Sequence, residues 1–147
     1  MRVLKVLLAF VAAVLVGFVT ASVLHSQFVL AKLAGVGAEI PAGAWLRMTA
    51  TDVVGFFPLF PAVVAAGLAI GFVVAAVLKR VLKPLAPVAY PLAGAAAIGT
   101  ALFLMGLQFE MTPVAGARGA LGFAAQCGAG ALAGWVFALL LRRRAQT

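Results

Sequence analysis

Acidic side chains are scarce in this chain of 147 residues: three Asp and Glu stand against eleven Lys and Arg, with one histidine and one cysteine. A single cysteine, Cys127, excludes an intramolecular disulfide, a Cys-x-x-Cys redox pair and a thiolate metal site. A single histidine, His25, excludes bis-histidine haem ligation, and no spacing supports Met48, Met105 or Met111 as its axial partner. Ser22 and Ser26 flank His25, and Asp52 follows, but no Gly-x-Ser-x-Gly elbow or oxyanion element accompanies them. Walker, zincin and dinucleotide signatures are also missing. The chain therefore reads as a non-enzyme, with no cofactor implied.

What the chain has in abundance is apolar sequence. Hydrophobic residues make up 66% of it, charged residues 10%, and the mean hydropathy is +1.23. Soluble domains hold about 45–50% apolar and about 25% charged residues, so this is an integral membrane protein. Uncharged, histidine-free stretches run over 6–24, 53–78, 84–109 and 119–141. Each can cross a hydrocarbon core of about 30 Å, which takes about 20 residues at about 1.5 Å rise. The reading is an all-α, four-helix membrane bundle in one domain, with spans near 4–24, 58–79, 86–107 and 119–141 and an outer segment at 25–57. Too little chain remains for a nucleotide-binding or catalytic ectodomain.

The net charge of +8 is distributed with a direction. Arg2, Lys5, Lys79, Arg80, Lys83, Arg142, Arg143 and Arg144 share one side if four spans alternate. Lys32, Arg47 and Arg118 face the other side and are balanced there by Glu39, Asp52 and Glu110. The positive-inside bias then places both termini in the cytoplasm. Anionic lipid headgroups are the expected partners of Lys79, Arg80, Lys83, Arg142, Arg143 and Arg144, at about 1 kcal/mol per residue. Nucleic acid is not, since no aromatic interleaving or basic module accompanies the charge. The N-terminal pattern of Arg2 and Lys5, an apolar run and Val19-Thr20-Ala21 resembles a secretory signal, but the run exceeds a signal core and reads as a retained span.

In the outer segment, Val29, Leu33, Val36 and Ile40 recur at helical spacing beside a small face of Ala31, Ala34 and Ala38. This predicts a short amphipathic helix ended by Pro41, with Trp45 as an interfacial anchor. Thr51 or Asp52 is then available to cap the second span, whose start Pro58 and Pro61 shift to about Phe60. The outer loops also share a pattern, Glu39 and Arg47 matching Glu110 and Arg118 with Pro and Gly-Ala between. That spacing predicts a Glu39–Arg47 and a Glu110–Arg118 ion pair, and two hairpins related about the membrane normal if the match reflects duplication.

Small residues repeat every four positions along the spans: Ala9, Ala13, Gly17 and Ala21; Gly67, Gly71 and Ala75; Ala95 and Gly99; Gly122, Gly130, Gly134 and Ala138. Close helix packing follows, because small faces let backbones approach where lipid supplies no hydrophobic drive. Gln126 lies on the Gly122–Gly130–Gly134 stripe and is expected to bond to a neighbouring helix. His25, Glu39, Asp52 and Glu110 form the outer titratable set; as a proton-sensing or metal cluster they lack any tight ligand spacing, so solvated loop residues are the simpler reading.

Pro113-Val-Ala-Gly-Ala-Arg118, Gln126 and Gly134-Trp135-Val-Phe137 in a four-span chain resemble small bacterial inner-membrane proteins. The resemblance covers about the last 60 residues; it implies a bundle in that membrane and no activity. The function expected is that of a small structural or accessory membrane protein, packing on itself as a homo-oligomer or in a larger membrane complex. The alternative is an oligomeric transporter or channel whose path one chain cannot build.

Overall fold

The computed structural model describes residues 2–57, 59–108, 115–117 and 119–143. Five helices follow in chain order among them: α1 (Arg2–Gly35), α2 (Ala42–Phe56), α3 (Leu59–Val81), α4 (Ala89–Gln108) and α5 (Ala120–Arg143). Short 3-10 turns at Lys83–Leu85 and Ala115–Ala117 lie in the connections. No strand occurs among the described residues. The helices α1, α3, α4 and α5 are each long and apolar enough to cross a membrane, so this is a multi-pass, all-α membrane protein. The fifth, α2, is the shorter helix between the first two spans.

The first helix departs from the hydropathy boundary. Polar His25, Ser26 and Gln27 lower the hydropathy without breaking a helix, and no Gly or Pro occurs between Leu24 and Ala34. Thus α1 continues through the stripe at Val29 and Leu33, which belongs to the first span's own helix rather than to a separate one. The stop is Gly37 at φ +88. Its N–H donates to the Ala34 carbonyl at 3.0 Å and that of Ala38 to the Leu33 carbonyl at 3.2 Å. Those two bonds form a Schellman cap, which needs a residue tolerant of positive φ. Pro41, expected as a terminator, instead opens α2: its carbonyl accepts from Ala44 at 2.8 Å and Trp45 at 3.2 Å. Trp45, Thr51 and Asp52 consequently lie within α2, and neither Thr51 nor Asp52 caps the second span. That span starts at Leu59.

Aromatic contacts give the alignment of the elements. Phe10 meets Phe72, Phe18 meets Phe60 and Phe57, and His25 meets Phe56, so α2, ending at Phe56, and α3, starting at Leu59, both run antiparallel to α1. At 34 residues α1 measures about 51 Å, some 20 Å beyond the hydrocarbon core. At the end away from Arg2 the last turns of α1 meet the turn at Ala115–Ala117, where the Lys32 ammonium donates to the Ala115 carbonyl at 3.5 Å.

Within the bundle α5 packs between α1 and α4, and α3 packs on α4. The closest approach joins α4 to α5. A Cβ added at Gly94 or Gly130 would overlap the other's carbonyl oxygen, and one at Gly134 would overlap that of Tyr90. Gly17 on α1 faces the Ala133 Cβ of α5, 3.1 Å from an added Cβ; Gly71 on α3 faces the Ala93 carbonyl oxygen at 3.0 Å. Gly67 packs less tightly, 3.6 Å from the Ala97 carbonyl oxygen. The interior is closed by aromatic rings at the Arg2 end: Phe72 and Phe137 stack at 4.5 Å and 14°, and Tyr90 stands edge-on to both. Such pairs contribute about 0.5–1.5 kcal/mol each beyond the area they bury.

Because these rings level α1, α3, α4 and α5, Lys5, Lys79, Lys83 and Arg142 share one end of the bundle. Glu39 and Arg47 are exposed at the other end, and no ion pair joins them among the described residues. The reason is the start of α2, which carries Arg47 onward in a helix instead of turning it back toward Glu39. Glu110 and Arg118 lie outside the described residues, as does most of the stretch that would test a duplicated hairpin.

Candidate functional site

The side chains most able to act chemically gather where α2 packs on α1. Ser22, His25 and Ser26 stand at positions i, i+3 and i+4, hence on one helical face. The uninterrupted helix past Leu24 is what aligns them. All three are buried, Ser22 and Ser26 completely. Opposite, α2 presents Trp45, Thr49, Asp52 and Phe56, one side of the helix at heptad-like spacing and each half-buried.

The Ser26 hydroxyl donates to the Asp52 carboxylate, Oγ to Oδ2 2.7 Å. The Ser22 carbonyl lies 3.1 Å from the same hydroxyl. One hydroxyl carries one proton, and the shorter bond to the charged acceptor takes the larger share of it. One residue further along α1, Gln27 Nε2 donates to Thr49 Oγ1 at 3.3 Å, and that hydroxyl donates to the Trp45 carbonyl at 2.9 Å. The imidazole of His25 stands edge-on to Phe56 at 4.8 Å and 87°, within electrostatic reach of Asp52. These hydrogen bonds and the Phe56 ring pin α2 to α1, although no residue of α2 is fully buried.

One helix over, the wholly buried Gln126 of α5 donates from Nε2 to the Ala21 carbonyl of α1 at 3.0 Å. Its Oε1 and the neighbouring Ser22 Oγ are buried without a hydrogen-bond partner among the described residues. A buried acceptor left unmatched costs about 1–3 kcal/mol.

The four residues of the outer titratable set are distributed unequally. His25 and Asp52 come into one cluster through Ser26. Glu39 is exposed in the connection between α1 and α2, and Glu110 lies outside the described residues. No group of three His, Cys, Asp or Glu converges on a metal position among the described residues. Of the packing residues, Gly17 and Gln126 hold α1 to α5, Gly67 and Gly71 hold α3 to α4, and Gly130 and Gly134 hold α5 to α4.

At the opposite end, the Lys79 ammonium donates to the Tyr90 hydroxyl at 2.9 Å and lies 4.7 Å from the centre of that ring. Arg80, Lys83 and Arg142 are exposed there. Arg144 and the side chain of Arg143 fall outside the described residues. Reading by sequence missed Gly94 and the Lys79–Tyr90 pair. In Ala93-Gly-Ala-Ala-Ala97 every register offers a small residue, so the pattern alone does not select Gly94.

No protein-family model, curated protein or solved structure matches this chain.

Proposed function

We propose that this protein is a small accessory or structural component of a bacterial inner membrane, inserted with both termini cytoplasmic, that carries no catalytic chemistry. The observation behind the reading is the way its interior is filled. Apposed glycine backbones join α4 to α5, and the packed rings of Phe72, Phe137 and Tyr90 fill the basic end. The polar cluster at the other end is engaged in tying α2 to the bundle. A protomer whose interior is filled in this way suits a protein that works by contact. The orientation rests on the shared basic end, which the positive-inside bias assigns to the cytoplasm. Arg80, Lys83 and Arg142 there meet anionic headgroups, worth about 1 kcal/mol apiece.

Reconstitution into liposomes tests the reading. The accessory role predicts proton and potassium flux no greater than in protein-free vesicles, together with stoichiometric comigration in a larger complex on native gels of mildly solubilised membranes. A stable symmetric oligomer that conducts ions would overturn it and establish the alternative, a transporter or channel assembled from several chains.

A further inference from the structure

We propose that the groove between α3 and α4 holds one anionic diacyl phospholipid, its acyl chains along the helices and its phosphate on Lys79. The inference rests on the membrane embedding alone and is independent of the accessory role.

The groove follows from the small-residue contact. Where Gly67 and Gly71 pack on Ala93 and Ala97, no large side chain fills the line between the helices. The exposed flanks of α3 and α4 stand above that line, leaving an apolar furrow of about 1040 Å³. This is slightly above the roughly 300–1,000 Å³ of small-molecule pockets. It reaches from Leu107 on α4 to Lys79 on α3, and apart from Lys79 only Thr100 of its lining carries a polar side chain.

Charge selects the occupant. Lys79 is half-buried, and its ammonium is held in place by the Tyr90 hydroxyl and ring, which use one of its three donors. No Asp or Glu occurs anywhere between Asp52 and Glu110, so neither helix supplies a carboxylate. Two positioned donors and an uncompensated positive charge at the mouth of an apolar furrow match the phosphate and tails of an anionic lipid. A third helix fits less well. The small residues that would admit its backbone are already closed against each other, with the Ala93 carbonyl oxygen 3.0 Å from the Cβ position of Gly71.

The test is lipid retention. The purified full chain is assembled into nanodiscs of equimolar phosphatidylglycerol and phosphatidylcholine, then released into mild detergent, and the lipid that stays bound is measured by native mass spectrometry. Phosphatidylglycerol should exceed phosphatidylcholine by about fivefold, the effect of one uncompensated lysine at the membrane surface. Lys79→Gln should remove that preference. Ala96→Phe, at an exposed lining position, should displace the lipid of either kind while Lys79 stays intact. Lys5→Gln, basic and at the same end but on α1 and outside the groove, should leave the preference unchanged.

Equal retention of both lipids by the wild type would overturn the proposal. So would a phosphatidylglycerol preference that survives both Lys79→Gln and Ala96→Phe. A wild-type dimer that Ala96→Phe dissociates would also overturn it, because the groove would then be a seam between copies of the chain.

Discussion

Two glycines on α5 allow the packing argument to be tested with one substitution in two places. Gly134 faces α4, where an added Cβ would penetrate the Tyr90 carbonyl oxygen and lie 2.9 Å from the Pro91 Cα. Gly128 lies six residues earlier, is exposed, and would place a Cβ in open space. Exchanging Gly for Ala in a helix stabilises by about 0.5–1 kcal/mol at either position, because the unfolded backbone loses freedom. At Gly134 that gain is opposed by overpacking, which costs about 1–3 kcal/mol in a closely packed site. The obstacle is backbone, so no rotamer change relieves it and the upper part of that range applies. Gly128→Ala should therefore raise stability slightly, and Gly134→Ala should lower it by about 1–2 kcal/mol net. The difference between the two variants isolates the steric effect, about 2–3 kcal/mol. Thermal unfolding in one detergent, followed by circular dichroism, reads that difference directly. Indistinguishable unfolding temperatures for the two variants would refute the close α4–α5 contact.

Loss of the Ser26–Asp52 bond in Ser26→Ala should lower stability by about 1–2 kcal/mol, reduced from the roughly 1.5–3 kcal/mol of a bond to a charged group because Asp52 is only half-buried. Protease cleavage between α1 and α2 should accelerate in the same variant, and unchanged cleavage would mean that the bond does not hold α2 in place. At Gln126, Leu should be tolerated to within about 1 kcal/mol, since it removes an unmatched acceptor together with one bond, whereas Ala should cost about 2–4 kcal/mol through the cavity it leaves; equal losses in urea-dependent unfolding would count against this account. For topology, Ala38→Cys and Lys83→Cys in a Cys127→Ser background should react with an impermeant thiol reagent from opposite membrane faces, Ala38→Cys from outside. Labelling from one face would remove the four-span arrangement.

Much of this architecture is legible in the residues themselves, for a physical reason. A bilayer leaves a long uncharged run only the helix, because every backbone amide must be bonded within its own segment. The four spans, their alternation and the gathering of Lys5, Lys79, Lys83 and Arg142 at one end follow from that requirement and from charge. Helix ends are less legible. Hydropathy falls at His25, but helicity responds to backbone breakers, and the first of these to act is Gly37. Pro41 shows the same ambiguity, since a ring that terminates one helix is equally suited to begin the next. The small-residue stripes announce close packing, and Gln126 stands out as a buried polar group.

Partnership between elements was decided by tertiary structure alone. Ser26 and Asp52 are 26 positions apart, and their pairing depends on α2 folding back antiparallel on α1. Gly94 is one small residue in a run of five, and its role exists only because Gly130 of α5 comes to the same level. Lys79 reads as one more basic residue until Tyr90, eleven positions on, holds its ammonium beside the α3–α4 groove. Local pattern determines which faces are small, apolar or charged. The register at which two such faces meet depends on all the contacts of the bundle at once, so no single segment encodes it.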